Sequence, residues 1–494
     1  MICKTDPPPA LSRRDALELC AGGLMSIAGG LRAVPANAGN AEQSVDAYVV
    51  QVLRDRFSAQ SQSLRLLLPN GSGANLGPVI ATFKAQTGVN IEPIEVPLDE
   101  VVNTLILDNV LDQRRFDIAL PATFALPDLV SAGTLLPLDE YVAAHEPAGF
   151  RDGILYPTGD TFDGETYGFQ TDGDAYLMFY HAEMISSTEN QERFAERFGH
   201  RLEIPRTWEE LDRQMAFFHA PEDGVFGGLL FRVPQFLAWE WWGRFHSKGV
   251  WPMAPDLTPQ IHGEAGVTAL EEMIRATDSL APGHENIGLF ENWERYAKGD
   301  IYANIGWGGT QKYLNQPKSG MRGRMVFGPT PGGQIGQGPL AVPYFNWGWN
   351  FVVSATSDYP ELAYLFSLFA ASPRMSTLAV GQTGGFFDPF RAEHYQDAKI
   401  IEAYSAPFLK VHREAMGNAI PDLYLKGHSE YFSALAKGLD AAVTGALKPE
   451  VALQGVAQKW ELISGKAGHV QQVLRWRDLR EKYPPHVKAA LRDL

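Results

Sequence analysis

Tryptophan is distributed unevenly along this sequence of 494 residues. All 11 tryptophans lie at or after Trp208, and eight of them fall between Trp239 and Trp349. An indole ring is large, flat and apolar, so it can stack on the apolar face of a sugar ring. Glycine follows Trp307 and Trp347 directly, and glycine lets a ligand approach the backbone. The pattern indicates that one or two of these rings line a ligand pocket, while packing in the core or at a domain interface is the alternative for any single ring.

A glycine-rich segment at residues 71–77 has the residue types of a phosphate-binding turn. It follows an apolar run and approximates the glycine fingerprint of a dinucleotide site, with Glu92 or Glu95 roughly twenty positions on. Its sixth position is Leu76 rather than Gly or Ala, however, and Pro78 follows at once. We therefore interpret the segment as a ligand-facing loop at the carboxyl end of the first strand, with nicotinamide binding as the alternative.

Motifs of the common hydrolytic sites are missing from the sequence. There is no Gly-x-Ser-x-Gly, no His-Glu-x-x-His and no phosphate-loop motif, and the 12 histidines are scattered. The two cysteines, Cys3 and Cys20, lie at the start of the chain, so the body of the protein has neither a disulfide framework nor a cysteine zinc site. Carboxylates are abundant, which leaves a glycosidase pair open without singling one out.

The elements that would position these residues alternate between strand and helix. Apolar runs typical of buried strands alternate with segments of helical spacing in the first part of the chain. This alternation predicts an α/β fold with a parallel sheet and right-handed crossovers. The predicted strands are residues 64–68, 89–96 and 116–120, and the predicted helices are 78–88, from Pro78 to a closing Gly88, and 101–109.

Later elements are predicted from caps and periodicity. Thr207 and Glu210 are spaced as a capping box at the start of a helix. Leucine and phenylalanine recur at helical spacing after Pro360, which predicts a helix with one buried face. We also expect strands at residues 301–305 and 351–354 and a helix at 431–443.

The N-terminus has the order of a secretory signal. The paired Arg13 and Arg14 precede an uncharged stretch at residues 19–31, which is too short to span a bilayer, and then a small-x-small site at 36–38. Paired arginines indicate the twin-arginine route, which exports folded proteins. We expect residues 1–38 to be a cleaved signal peptide and 39–62 a polar, partly helical extension. The alternative for the signal is a cytosolic amphipathic helix.

The charge balance limits the classes of partner. With 42 basic and 58 acidic residues, the formal net charge is −16. This charge argues against nucleic acid or an anionic membrane surface and suits neutral or cationic small molecules. Beyond the N-terminus no stretch approaches eighteen uncharged apolar residues. We expect a periplasmic protein, soluble after cleavage.

Several short motifs occur in a fixed order between about residues 64 and 460. Together they resemble the extracellular solute-binding proteins of ABC importers, in the carbohydrate-binding group that includes maltose-binding protein. The match at residues 205–211, proline-x-threonine-tryptophan-x-glutamate-leucine, is close. The other matching segments are residues 116–119 with 129–139, 167–169 with 177–181, 297–300 with 305–307, 327–333, 360–363 and 381–389.

The resemblance implies a two-lobed periplasmic-binding-protein fold with a hinge, an interlobe cleft and three chain crossings. A sugar or polyol would bind in the cleft, and the closed form would dock on ABC permease subunits in the inner membrane. It implies a monomer that is not an enzyme, with no catalytic residue, cofactor, metal or nucleic acid. The alternative is an exported oxidoreductase or glycosidase acting on sugars. The expected limits are 63–172 plus 328–375 for lobe 1 and 173–327 plus 376–480 for lobe 2.

The resemblance also implies where the ligand is held. It places Asp174 at a crossing between the lobes, where an acidic residue accepts hydrogen bonds from ligand hydroxyls, although a solvated turn residue is the alternative. It places Trp307 where a tryptophan stacks on sugar. The full set of expected ligand-binding residues is Asn70, Ser72, Thr123, Asp174, Trp239, Trp242, Trp307, Trp347, Asn350, Phe386 and Tyr431.

Overall fold

Two five-stranded sheets organise the chain in the computed structural model, which describes residues 44–57, 62–336 and 338–494. The predicted signal peptide, residues 1–38, lies outside the described residues. Within the predicted extension, residues 39–62, most of the described residues form one helix, Val45–Phe57. Among the described residues, no helix is both long enough and apolar enough to cross a membrane.

The strands coincide with the apolar runs of the sequence. Each predicted strand is present, although the one expected at 116–120 is reduced to two residues. In chain order the strands are β1 (Ser63–Pro69), β2 (Asn90–Val96), β3 (Ile118–Ala119), β4 (Thr161–Phe162), β5 (Glu165–Thr166), β6 (Gly168–Gln170), β7 (Ala175–His181), β8 (Phe226–Leu229), β9 (Ile301–Gly306), β10 (Met325–Pro329), β11 (Gly333–Ile335), β12 (Gly338–Leu340), β13 (Tyr344–Phe345) and β14 (Asn350–Val353).

Helices connect the strands and supply most of the regular structure after β14. The helix predicted at 431–443 is present and begins three residues earlier. In chain order the helices are α1 (Val45–Phe57), α2 (Gly73–Thr87), α3 (Val101–Val110), α4 (Leu126–Ser131), α5 (Asp139–His145), α6 (Ala182–Ser186), α7 (Thr188–Phe198), α8 (Trp208–Phe218), α9 (Pro234–His246), α10 (Glu264–Thr277), α11 (Leu289–Tyr296), α12 (Gly308–Leu314), α13 (Pro360–Ala371), α14 (Pro373–Val380), α15 (Ala398–Tyr404), α16 (Ala406–Asn418), α17 (His428–Val443), α18 (Pro449–Lys466), α19 (His469–Glu481) and α20 (Pro485–Ala490).

The first sheet has the strand order β2-β1-β3-β14-β6. β1 is parallel to both β2 and β3, as the strand–helix alternation predicts, whereas β14 is antiparallel to β3 and β6. The second sheet has the order β10-β7-β9-β8, with β13 also paired to β7. Within it β8 is parallel to β9, and β7 is antiparallel to β9, β10 and β13.

The chain passes between the two sheets along short segments. One passage is residues 171–174, between β6 and β7, and a second is residues 346–349, between β13 and β14. The predicted lobe limit at 327/328 differs from this arrangement, because β10 and β13 pair with β7 in the second sheet. Sequence spacing does not reveal this, since antiparallel pairing of short strands depends on contacts remote along the chain.

Helix α2 begins earlier than Pro78, where the sequence places its start. It begins at Gly73, because the Glu95 carboxylate on β2 accepts the N–H groups of Gly71 at 2.8 Å and Gly73 at 3.2 Å. A carboxylate from a neighbouring strand thus satisfies donors that a helix N-terminus leaves free. The predicted end is confirmed, since Gly88 closes the helix with a left-handed φ of 79°.

The helix predicted after Pro360 is buried all round rather than on one face. Every residue from Leu362 to Ala371 is buried in α13. The helix packs against α1, α2, α14 and β14, so the N-terminal extension covers the face that would otherwise meet solvent. Val49 and Leu53 of α1 belong to the same apolar core as α13. The extension is therefore part of the folded body.

The capping box predicted at α8 is confirmed. The Thr207 hydroxyl accepts the backbone N–H of Glu210 at 3.2 Å, and the Glu210 carboxylate accepts that of Thr207 at 3.2 Å. Two donors at the helix N-terminus are thereby satisfied reciprocally.

Candidate functional site

An aromatic-lined pocket lies where the two passages between the sheets meet the start of α12. We call it the aromatic pocket; its volume is about 440 Å³, including space open to solvent. Four of the predicted ligand-binding residues line it, and Asp174 is the one ionisable side chain among its lining residues. The lining consists of Leu98, Asp174, Leu289, Phe290, Trp293, Trp307, Gly309, Trp347, Trp349 and Phe386.

Trp307 occupies the junction between β9 and α12. Its indole N–H donates to the side-chain oxygen of Asn346 at 2.9 Å, and its backbone N–H donates to the Thr310 hydroxyl at 3.2 Å. The ring packs on Tyr176 and perpendicular to Trp239, with centroid distances of 5.0 and 5.7 Å. Because its N–H is already satisfied, Trp307 offers the pocket its ring rather than a donor.

Trp347 and Trp349 flank Gly348 on the second passage, and their rings are 5.8 Å apart. Gly348 has a φ of 110°, and a Cβ there would lie 2.7 Å from the Phe345 ring and 3.1 Å from the Thr123 hydroxyl. Only glycine fits such a position without displacing its neighbours. This glycine therefore allows two tryptophans of one short segment to face the same pocket.

The opposite wall is formed by α11 and by residues that follow α14. At Gly309 a Cβ would lie 3.5 Å from the Trp293 ring and 3.3 Å from the Cβ of Phe386, so this glycine permits their approach. Phe386 also contacts the turn after β1, because a Cβ at Gly71 would lie 3.1 Å from its ring. Phe290, which is 51% exposed, lies at the mouth.

Two of the tryptophans carry donors that the described residues leave unsatisfied. The indole N–H groups of Trp293 and Trp347 are buried and have no hydrogen-bond partner within the described chain. A buried donor without a partner costs free energy, and because neither nitrogen has accessible surface here, a ligand acceptor reaches it only if the surrounding rings move.

A cluster of three aspartates begins at the pocket and continues beneath it. Asp172 and Asp388 are fully buried, whereas Asp174 keeps some exposure, and the three carboxylates have oxygens within 4.8 Å of one another. One Asp172 oxygen accepts the backbone N–H groups of Gly173 and Asp388. The other Asp172 oxygen and one Asp388 oxygen are buried without a hydrogen-bond partner among the described residues.

Protons and one lysine compensate this negative charge. Burial, followed by the repulsion of neighbouring carboxylates, raises the pKa of Asp172 and of Asp174 well above the usual range. Burial also raises the pKa of Asp388 to about 6 and lowers the pKa of Lys312 to about 8. The Lys312 amine donates to the backbone oxygens of Phe387 at 2.8 Å and Gln382 at 3.2 Å. The lysine therefore acts on the carboxylates through its charge, while the hydrogen bonds of its amine within the described chain go to backbone oxygens.

The other predicted site residues lie behind or beside the pocket. Trp239 packs against Trp307 and Trp347 and supports them. The Thr123 hydroxyl donates to the Asn350 side chain at 2.7 Å, and Asn350 donates to Asp160 at 2.6 Å, so this pair is satisfied internally.

The turn after β1 places its two predicted residues differently. The Asn70 side chain is exposed, whereas Ser72 is fully buried, and its hydroxyl has no partner within the described chain. The backbone N–H groups of Gly71 and Gly73 donate to the Glu95 carboxylate, so they are not free to bind a pyrophosphate. This arrangement argues against nicotinamide dinucleotide binding at this segment.

Trp242 and Tyr431 lie in the apolar core that includes β7 and β9 of the second sheet, and they do not line the aromatic pocket. The Trp242 indole N–H donates to the backbone oxygen of Pro421 at 3.4 Å, and the Tyr431 hydroxyl is 2.7 Å from that of Ser464. One helical turn separates Trp242 from Trp239, and packing of α9 against α17 buries it.

Sequence reasoning missed Trp293, Trp349, Asp172 and Asp388. Trp349 follows the predicted Trp347 by two residues, so the clustering of tryptophan in the sequence could have indicated it. Nothing in the sequence near Trp293 or Asp388 distinguishes them from core or turn residues, because their role depends on contacts between distant segments.

Comparison with known proteins gives the chain a family and a fold. A family model described as bacterial extracellular solute-binding protein matches residues 79–407. The structure is similar to an ABC transporter solute-binding protein of Agrobacterium radiobacter K84 in complex with ribitol, with a TM-score of 0.69 and 18% identity over 82% of this chain and 99% of that one.

Two further solved structures are similar to the same extent. A solute-binding protein of Agrobacterium vitis S4 with bound D-mannitol has a TM-score of 0.67 and 18% identity over 82% of this chain and 99% of that one. Maltose-bound MalE3 of T. maritima has a TM-score of 0.68 and 18% identity over 81% and 99%. The predicted two-lobed fold is confirmed by these matches.

Proposed function

Because the chain belongs to the bacterial extracellular solute-binding protein family, we propose that it is the periplasmic substrate-binding component of an ABC importer. It takes up a sugar, a polyol or a closely related polar solute and presents it to permease subunits in the inner membrane. The similar structures with bound ribitol, D-mannitol and maltose support this class of ligand.

The observation that carries the proposal is the composition of the aromatic pocket. It combines flat rings, two indole N–H groups without partners, and Asp174. The rings suit the apolar face of a small ring or chain, while the Asp174 carboxyl suits a hydroxyl group.

The two passages couple ligand binding in this pocket to movement of the two sheets relative to each other. Asp174 is on the first passage and Trp347 and Trp349 on the second, while Trp307 belongs to the second lobe. A ligand that contacts these residues would favour the closed arrangement, since it gains contacts there that the open one lacks. Closure about these segments is the signal that the permease would read.

The remaining features follow from the same proposal. The protein is exported by the twin-arginine route, loses residues 1–38 and acts as a monomer. It binds its solute without making or breaking a bond, and it uses no cofactor. Lobe limits at the two passages, residues 171–174 and 346–349, agree better with the sheets than a limit at 327/328.

The test is a thermal-shift screen of the mature protein against sugars, polyols, amino acids, amines and glycerol phosphates. A ligand at a hundred times its dissociation constant adds about 2.7 kcal/mol to the free energy of unfolding, which raises the melting temperature. The proposal expects at least one saturable hit from the sugars, polyols or their close derivatives, with the ligand recovered unchanged. A hit confined to amino acids or phosphates, or conversion of the ligand, would overturn it.

A further inference from the structure

Helix α4, which packs on the first sheet, contacts helix α17, which packs with the second. Leu126 and Leu129 of α4 share an apolar core with Leu67 and Val352 of the first sheet. The buried side chains of α17 belong to the other core, which includes β7 and β9. Contacts between these two helices therefore join the two sides of the molecule, in addition to the two passages of the chain.

The Asp128 carboxylate on α4 caps α17 across this boundary. Its two oxygens accept the backbone N–H groups of Gly427 at 2.7 Å and Ser429 at 3.0 Å. The first turn of a helix leaves such donors unsatisfied, and a negative charge is favourable there. Gly427 has no side chain with which to cap the helix, so α17 takes its cap from a residue on the other side of the molecule.

A bidentate ion pair joins the same two sides at a second point. Nε and Nη2 of Arg475 on α19 donate to the two Asp163 oxygens at 2.8 and 2.6 Å. Asp163 and Gly164 form the two-residue turn between β4 and β5, and their φ values of 52° and 88° are typical of a tight hairpin. Phe162, which precedes this turn, packs in the same core as α4. This turn therefore belongs to the side of the first sheet, whereas α19 packs with the second.

Gln472 on α19 connects the ion pair to the start of α17. The Arg475 Nη1 donates to the Gln472 side-chain oxygen at 2.9 Å, and the Gln472 side-chain nitrogen donates to the backbone oxygen of Lys426 at 2.9 Å. Gln472 is fully buried, so its position is fixed by packing. Both aspartates therefore act on one short segment, residues 426–429. We call Asp128, Asp163 and Arg475 the latch.

One aromatic ring separates this segment from a wall of the aromatic pocket. The Phe124 ring stacks on His428 at a centroid distance of 5.2 Å and lies edge-on to Trp347 at 5.1 Å. Trp347 lines the pocket, whereas no residue of the latch does so. The latch is thus placed to act on the pocket without contacting the solute.

We propose that the latch stabilises the closed arrangement of the protein and so sets its affinity for the solute from outside the pocket. Asp128, Asp163 and Arg475 are positioning residues. Opening about the two passages would separate them, so their contacts favour the closed form alone. Because the solute binds the closed form, its apparent affinity rises with the population of that form. This inference rests on the proposed function, since it requires two lobes that move about the passages.

The experiment measures the distance between the two sides by double electron–electron resonance. The chain has no cysteine after Cys20, so spin labels attach to the mature protein only where cysteine is introduced. Ala85→Cys on α2 and Glu461→Cys on α18 are exposed positions that place one label on each side. Distances are recorded without solute and with ribitol, D-mannitol and maltose in turn.

We expect Asp128→Ala and Arg475→Gln each to increase the population of longer distances. The ratio of closed to open protein should fall about two- to tenfold, as for the loss of a helix cap or of a partly exposed ion pair. The dissociation constant of any solute that binds should rise by a similar factor. A merely structural role would lower the melting temperature without changing the distances.

The control for Arg475→Gln breaks a similar ion pair within one side. Arg480, also on α19, donates from Nη1 and Nη2 to the Asp493 oxygens at 3.0 and 2.9 Å. The two arginine side chains are 13% and 16% exposed, and their aspartate partners 33% and 38%. Arg480→Gln should therefore change neither the distances nor the affinity.

The control for Asp128→Ala removes a cap that lies within one segment. The Asp397 side chain accepts the backbone N–H groups of Lys399 and Ile400 at the start of α15. Asp397→Ala should destabilise this helix locally and leave the distances as they are in the unmodified protein.

The outcomes separate the two proposals. Distances in the latch variants that match those of the controls, with and without solute, would overturn the latch and leave solute binding standing. Longer distances with an unchanged dissociation constant would overturn its effect on affinity. Failure of every sugar and polyol to bind would overturn the proposed function, while the distances measured without solute would still decide whether the latch holds the two sides together.

Discussion

Single side chains in the aromatic pocket divide into those that face the ligand space and those that hold them in place. Trp347 faces the space, is partly exposed and has a free indole N–H. Trp242 is fully buried, and its N–H donates to a backbone oxygen. Trp307 is intermediate, because its ring lines the pocket while its N–H and its other face are used internally.

This division predicts opposite effects for two tryptophan replacements. Trp347→Leu should weaken ligand binding at least tenfold with little loss of stability, because the ring is partly exposed and its N–H has no partner in the protein. Trp242→Leu should cost about 2–4 kcal/mol of stability, since it empties part of a packed core, and should leave affinity unchanged in the folded fraction. Melting temperature and dissociation constant measured on both variants check this. Loss of stability with intact affinity in Trp347→Leu would remove that ring from the site.

The aspartate cluster predicts an unusual dependence of stability on pH. A carboxyl whose pKa is raised on folding binds more protons in the folded than in the unfolded state, so its contribution to stability falls as pH rises above its unfolded value. Relative to the unmodified protein, ligand-free Asp174→Asn should therefore gain stability between pH 5 and pH 8. The gain should grow as pH rises through this range, because burial and the neighbouring carboxylates raise the pKa of Asp174 in the folded protein. Urea unfolding of both proteins across this range checks it; a pH-independent difference contradicts the raised pKa.

At the scale of elements, the site depends on short segments that join the sheets rather than on the sheets themselves. Residues 346–349 carry two tryptophans on either side of Gly348, whose positive φ only glycine adopts easily. Residues 171–174 carry two of the three clustered aspartates. The sheets fix the ends of these two segments, while Gly348 and the clustered aspartates determine the backbone conformation between those ends.

Gly348→Ala should disrupt the pocket through the backbone. The added Cβ would meet the Phe345 ring at 2.7 Å, so the segment must shift and both tryptophans must move with it. We expect a loss of about 1–3 kcal/mol in stability and a loss of affinity larger than that of any single tryptophan. Gly417→Ala is the control, since it lies in α16 with open space around its Cβ and should stabilise by about 0.5–1 kcal/mol. Near-normal affinity in Gly348→Ala would show that the segment does not shape the site.

Elements whose signal is local are predictable from the sequence, whereas those set by distant partners are not. The strands and the α8 capping box follow from periodicity and from residues three positions apart. The start of α2 does not, because Glu95 on another strand caps it, and neither does the full burial of α13, because α1 covers it. The same holds in the site: the family resemblance predicts Trp307 and Asp174, but tertiary contacts alone bring Trp293 to the pocket and Asp388 to the aspartate cluster beneath it.

At the scale of the whole molecule, the proposed twin-arginine export requires the protein to fold before it crosses the membrane. The body of the chain has no cysteine after Cys20, so its folding does not need oxidation, and the twin-arginine route accepts folded proteins. Changing Arg13 and Arg14 together to Lys should abolish export while the protein folds in the cytosol and still binds ligand. Fractionation followed by a binding assay on the cytosolic protein checks both halves. Normal periplasmic yield of the double variant would contradict the proposed route.

The central claim is that a small polar solute occupies the aromatic pocket between the two passages. The most direct measurement is a crystal structure of the mature protein grown with the tightest binder from the ligand screen. The account predicts ligand density enclosed by Trp307, Trp347 and Trp349, with a polar group of the ligand in hydrogen-bond contact with Asp174. Density for the ligand at another surface, with this pocket filled only by water, would contradict it.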